Sequence, residues 1–257
     1  MKIFVTGGLS PDRLDDELAA RALGQAITSA GHVLLQGYYN SFDHAIAEAA
    51  FEAAKANASI GDPKLAVQSF ITKDSVVPKQ VQWQVRRLQI RDWNPAEERW
   101  SMPEPIQACD VAIIMGGGER TLRAAHFCRS EKKPIVPITL LQGAAIEVFE
   151  TELNRFSDIY EGRVSRDQYC LLDTQNPVDI NIFMKEAVQL SSRLGLGNTA
   201  FIVMAFRDES EDTFSTIKDV CEDLDIKWSR TDQDQSTSRI YARIVTGIQR
   251  AAIVIVD

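Results

Sequence analysis

Two stretches decide how this chain reads: Ile3-Phe4-Val5-Thr6-Gly7-Gly8 and Val111-Ala112-Ile113-Ile114-Met115-Gly116-Gly117-Gly118. Each is a continuous apolar run that breaks into glycine, which is how a parallel strand buried on both faces reads. Glycines at the carboxyl end of such a strand let the backbone turn tightly with its amides facing a ligand. Helical sequence follows both turns and adds the positive end of a helix dipole, so the pair predicts one phosphate-binding site.

Strands and helices alternate outward from these turns. Ser10-Pro11-Asp12 offers an N-cap serine, a proline at the first helical position and a first-turn acid, which predicts a helix start. Leu14, Leu18, Ala22 and Ala26 form its apolar stripe, and Gly31 is placed to end it. Val33-Leu34-Leu35 is a second strand. The turn from Gln36 to Ser41 follows, then a helix with Phe42, Ile46, Ala49, Ala50 and Ala53 on its buried face. Further strands are expected at 64–72, 111–117 and 134–139, with a crossover helix from Thr121 to Lys132 and helices near 143–156 and 177–194. The fold class is α/β, a Rossmann-like parallel sheet wrapped by helices. The pattern lapses between Pro78 and Pro105, where Trp83, Trp93 and Trp100 lie among Arg86, Arg87, Arg91 and Arg99. Such a segment suits a packed hairpin, a self-association surface or a lid that stacks on a base.

A linker is expected at 196–199, between a first domain over 1–195 and a second α/β unit over 200–257. The second unit is predicted to hold strands at 201–205, 226–228 and 252–256, with helices at 214–224 and 239–250. It stops after a strand, so it reads as the incomplete N-terminal part of a domain.

With 257 residues and 45% hydrophobic content, the chain can bury a large core. A net charge of −8 supplies no basic face, which disfavours nucleic acid as a partner. Cys109, Cys128, Cys170 and Cys221 show neither CxxC spacing nor a histidine partner, so reduced thiols and no metal are expected. The chain opens in a strand, without a signal-peptide pattern, and no apolar run reaches the roughly 18 residues that span a bilayer. The expectation is a soluble cytoplasmic protein with no membrane partner.

The residues expected at the ligand are Gly7, Gly8, Leu9 and Ser10 of the first turn and Gly116, Gly117, Gly118, Glu119, Arg120 and Thr121 of the second. Gly37 and Tyr38 follow the second strand, where the ring of Tyr38 or Tyr39 either stacks on a base or packs in the core. Asp43 either binds a ribose hydroxyl or complements the helix dipole. Arg120 either grips a phosphate in bidentate fashion or is a solvated surface residue. His32, His44 and His126 share no motif with a nucleophile or metal partner. Between Arg207 and Asp234, ten acids face four bases, which reads as a solvated face with Asp232 or Asp234 as a candidate for ribose.

On the order and spacing of these segments, the first 195 residues resemble the SLOG superfamily, which groups DprA-type DNA-binding proteins with LOG-type phosphoribohydrolases. Phe4-Val5-Thr6-Gly7-Gly8 matches the first phosphate turn, and Ile114 to Thr121 stands where LOG enzymes carry PGGxGTxxE. With Thr121 on the motif threonine, Arg120 replaces a glycine and Ala124 replaces the glutamate. Glycoside hydrolysis needs a carboxylate near the glycosidic bond. The departures therefore imply binding without turnover, and Glu119 is the neighbouring carboxylate that keeps a LOG-like nucleoside monophosphate phosphoribohydrolase as an alternative. A DprA-like single-stranded DNA-binding protein, using Trp83 to Trp100, is another.

Residues 200–257 resemble the start of TIR-like and nucleoside 2-deoxyribosyltransferase-like domains, on Met204-Ala205-Phe206 and Val254-Ile255-Val256-Asp257. Phe206, Arg207, Asp232 and Asp257 are the candidate residues there, and the catalytic glutamate of such families lies beyond that aspartate. Together the resemblances imply a bacterial antiphage defence protein. Its first domain would sense a nucleotide or NAD-derived signal, such as a cyclic nucleotide or cyclic ADP-ribose. Its completed second domain would cleave N-glycosidic bonds in NAD or nucleotides. No cofactor is required, and a homo-oligomer is expected.

Overall fold

The computed structural model describes residues 1–9, 14–37, 39–57, 62–71, 86–89, 103–160, 163–195, 199–204, 210–224, 226–230, 244, 248, 251 and 253–256. The chain divides into two compact units, Met1–Gly195 and Leu196–Asp257.

In the first unit six strands, β1 (Lys2–Gly8), β2 (Val33–Gln36), β3 (Val67–Ile71), β4 (Arg86–Gln89), β5 (Val111–Gly116) and β6 (Ile135–Ile138), form one sheet in the order β4-β3-β2-β1-β5-β6. Every pairing is parallel. The helices are α1 (Leu14–Ser29), α2 (Ser41–Ala56), α3 (Glu104–Ala108), α4 (Glu119–Ser130), α5 (Ala144–Asn154), α6 (Phe156–Ile159), α7 (Arg166–Cys170) and α8 (Ile180–Gly195). Alternation along the strands divides the core between the two faces of the sheet. Ile3, Val5, Val111, Ile113 and Met115 pack with α1, α2 and α8. Phe4, Ala112 and Ile114 pack with Ile106 of α3, Ala125 and Cys128 of α4 and Val148 of α5. The unit is an α/β, Rossmann-like fold with helices on both faces.

Three local expectations shift. The third strand begins at Val67, because Pro63–Leu65 forms a 3-10 turn in which the Asp62 side chain accepts the Lys64 amide at 3.0 Å. The segment read as irregular contributes β4, an edge strand paired to β3 from Arg86↔Gln68 to Gln89↔Ile71. Its Trp83, Trp93, Trp100, Arg91 and Arg99 lie outside the described residues. Leu18 was expected in the buried stripe of α1 but is 60% exposed, and Ala19, Ala20, Leu23 and Ile27 carry the core instead. The cause is a close helix crossing: a Cβ built on Gly24 would lie 2.3 Å from the Ile46 carbonyl oxygen, so α1 turns its smallest residue toward α2.

The far edge strand, β6, is closed by side chains. Tyr160 Oη accepts the Ile135 amide at 3.1 Å, and Tyr169 Oη donates to the Ile135 carbonyl at 2.9 Å. Buried Glu152 joins the cluster, accepting from Tyr160 Oη and from Arg129 Nε, each at 2.6 Å. Burial raises the pKa of both tyrosines and keeps them as hydrogen-bond donors.

The second unit holds β7 (Thr199–Val203), α9 (Glu211–Asp223), β8 (Lys227–Arg230) and β9 (Ile253–Val256), with a parallel sheet ordered β8-β7-β9. Ile202, Met204 and Phe214 form its core. Trp228 meets Phe214 edge-on at 5.4 Å, and the Arg230 guanidinium lies 3.6 Å over the Phe214 ring. The helix expected over 239–250 falls almost wholly outside the described residues.

Candidate functional site

Strand order reverses between β1 and β5, since β1 leads outward to β2 on one side and β5 to β6 on the other. The register sets Gly7 opposite Met115 and Gly8 opposite Gly116, so the two glycine turns leave the carboxyl edge side by side. Open α/β sheets bind ligands in the crevice at such a reversal.

The two turns are built differently. A Cβ on Gly7 would lie 2.0 Å from the Met115 carbonyl oxygen and 2.8 Å from the Phe42 ring, so this glycine lets β1, β5 and α2 close together. In the second turn Gly116 and Gly117 have φ of +68° and +81°, the left-handed region that favours glycine. A Cβ on Gly117 would meet Thr121 Oγ1 at 2.1 Å. Gly118 has φ −136° and nothing within 4 Å of a built Cβ, so neither a positive φ nor a close neighbour demands glycine there. Its carbonyl accepts the Thr121 and Leu122 amides at 2.9 and 3.1 Å, which starts α4 beneath this open space. The first amides of a helix have no acceptor within the helix and are available to an anion.

A third element stands at this edge. Asn40 caps α2 by accepting the Asp43 amide at 2.9 Å, and its Nδ2 donates to the Gly7 carbonyl at 3.1 Å. Asp43, 5% exposed, accepts the Tyr39 amide at 2.8 Å. Burial pushes the Asp43 carboxyl up to about 6, against the pull of the amides it accepts. The Tyr39 ring lies over Gly37, where a Cβ would come within 2.2 Å of it, and is 57% exposed. Burial raises the Tyr39 pKa, Asp43 adds to the rise and Arg120 opposes it, which puts Arg120 within electrostatic reach of Tyr39.

The structure thus brings Gly7, Gly8, Gly37, Asp43, Gly116, Gly117, Gly118, Glu119, Arg120 and Thr121 to the carboxyl edge, with Leu9 partly buried against the core below. Ser10 and Tyr38 lie outside the described residues, as do Phe206, Arg207, Asp232 and Asp257. Asp43 is committed to the helix start rather than aimed outward. Glu119 extends along the outer face of α4 and pairs with Arg123 at 2.6 Å. Asn40 and the turn at Gln142–Gly143 went unnoticed in the sequence. Gly143 has φ +63°, and the Ala144 amide donates to the Gly117 carbonyl at 2.9 Å.

Charge distinguishes the two helices that begin at this edge. The first turn of α1 carries Asp15, Asp16 and Glu17, which repel an anion, and α4 presents Arg120 beside Glu119. Asp15 and Asp16 instead line a cleft of about 270 Å³ with Leu140, Leu141, Gln175 and Asn176. Among the described residues no group of His, Cys, Asp and Glu side chains has metal-holding geometry, and no helix is long and apolar enough to cross a membrane. All four cysteines are free, and burial raises Cys109 to about 11.

No protein-family model matches the chain, and no curated protein matches it. Among solved structures it is similar to the molybdenum cofactor carrier protein of Chlamydomonas reinhardtii, at 19% identity over 74% of this chain and 96% of that one, with a TM-score of 0.46. It is also similar to the structural-genomics target TM1055, at 12% identity over 58% of this chain and 80% of that one, with a TM-score of 0.43. Likeness at this level carries no argument about activity, and the fold class stands on strand order, register and the two-sided core.

Proposed function

We propose that the first unit binds a nucleotide or NAD-derived signal in the crevice between β1 and β5 and does not turn it over. The phosphate sits on the amides that open α4, with Arg120 completing its charge, and the base lies against Tyr39. One observation carries this reading: Gly118 leaves open space over a helix start at the point where strand order reverses. Binding without turnover is favoured by Ala124, which packs against the core where a LOG enzyme has its glutamate, and by the pairing of Glu119 with Arg123. The second unit, with its parallel three-stranded sheet, is then the beginning of an N-glycosidase-type effector of the TIR-like or deoxyribosyltransferase-like kind. The pairing of such a sensor with such an effector fits a cytoplasmic, self-associating antiphage defence protein.

The test is a thermal-shift series with AMP, ADP-ribose, cyclic ADP-ribose and cyclic dinucleotides. A ligand at one hundred times its Kd adds about 2.7 kcal/mol to the folded state, a readily measured rise in Tm. No rise with any of them contradicts the proposal. Release of free base from AMP contradicts the claim of binding without turnover and favours the LOG-like alternative.

A further inference from the structure

The turn after β6 holds a residue in a backbone conformation that its side chain opposes. Gln142 has φ +57° and ψ −143°, a region that is essentially glycine's alone. Gly143 follows with φ +63°, yet position 142 itself carries a long polar side chain and is exposed. Its two neighbours both touch the phosphate turn. A Cβ on Gly116 would lie 3.0 Å from Leu141 Cβ, and a Cβ on Gly143 would lie 2.4 Å from the Gly117 carbonyl oxygen. The Ala144 amide donates to that same carbonyl at 2.9 Å. Gln142 therefore stands between two residues packed on Gly116–Gly117. The turn is anchored from behind, where the Thr139 hydroxyl donates to Asp173 at 2.8 Å and the Gln142 amide donates to the Thr139 carbonyl at 2.7 Å.

We infer that Gln142 is a specificity residue of the proposed site, whose carboxamide reads a neutral hydrogen-bonding group, on the base or the sugar, of a ligand whose phosphate rests on Gly118–Arg120. The inference rests on the proposed site and adds a third wall to it. A carboxamide offers both a donor and an acceptor and carries no charge, so it suits a base edge or a ribose hydroxyl and adds little to phosphate binding. Glycine would relieve the backbone, and the strain is retained with a polar side chain at the rim of a binding crevice.

The experiment compares wild type, Gln142→Gly and Gln142→Ala by calorimetry with AMP, ribose 5-phosphate and inorganic phosphate, alongside Tm without ligand. Gln142→Gly is expected to raise Tm by about 2–4 °C as the strain is released. Both variants are expected to lose about five- to tenfold in AMP affinity, the effect of one hydrogen bond, with phosphate binding unchanged. An equal loss with ribose 5-phosphate assigns the contact to the sugar; a loss confined to AMP assigns it to the base. AMP binding retained by both variants overturns the inference and leaves the phosphate site standing. If wild type binds none of the three probes, the same comparison is made with whichever ligand of the thermal-shift series does bind; if none of those binds either, the proposed site fails and the inference fails with it.

Discussion

The two glycine turns look alike in the sequence and differ in the molecule. At Gly7 the missing side chain makes room for protein, with the Met115 carbonyl and the Phe42 ring closing to distances no Cβ would allow. At Gly118 it makes room for nothing the fold supplies: φ is negative and the space above α4 is open. Gly116 and Gly117 lie between these cases, required by their positive φ and packed beneath Leu141 and Gly143. A glycine that packs and a glycine that leaves open space are thus distinguished by what a Cβ would meet.

The contrast is most sharply broken by a pair of alanine substitutions. Gly7→Ala forces backbone and ring apart and is expected to cost about 3 kcal/mol or more in chemical denaturation. Gly118→Ala, which replaces a tolerated N-cap by a poor one without a clash, is expected to cost about 1 kcal/mol or less. Similar costs for the two would remove the distinction.

The arm that ties the first turn to α2 has a pH signature. Burial raises the Asp43 carboxyl to about 6 in the folded state, above its ordinary 3.8. Between these values the folded chain holds a proton that the unfolded chain has released. Stability from this group therefore falls as pH rises from about 4 to 6, by roughly 3 kcal/mol. His32 works in the opposite sense. Desolvation lowers it to about 4, so its contribution rises with pH between about 4 and 6.5, more weakly because it is only partly buried. The difference between wild type and Asp43→Asn, followed by denaturation across that range, isolates the carboxyl. A flat difference contradicts its burial.

Two smaller effects sharpen the picture of the second turn. Arg120→Ala is expected to weaken AMP binding by about 2 kcal/mol in calorimetry, and the loss should shrink as salt rises. Tyr39→Ala is expected to cost about 1 kcal/mol of AMP affinity, and Tyr39→Phe close to nothing, since the proposal has the ring rather than the hydroxyl meet the base.

Much of the fold was legible because burial writes itself into sequence. The six-residue run of β5, buried throughout, and the glycines after it could be read directly. The α1 stripe misled at Leu18 because the rotation of that helix is set by Gly24 against the Ile46 carbonyl, a contact between elements that periodicity does not encode. The strand at Arg86–Gln89 escaped notice because edge strands tolerate charge and need no apolar run. At the carboxyl edge, the glycine and arginine positions were visible, but Asn40 reaching back 33 residues to the Gly7 carbonyl was not. Gln142 gave no signal at all, since nothing in a glutamine announces a positive φ.

The central claim is that an anion rests over Gly118 on the start of α4, and Gly118→Asp tests it most directly. Aspartate is a favoured N-cap and fits the open space, so the substitution is expected to leave Tm unchanged or slightly raised. Its carboxylate would occupy the anion's place, so the thermal shift with AMP or ADP-ribose is expected to vanish. A variant that keeps both its stability and its full ligand-induced shift would contradict the account and place the ligand elsewhere.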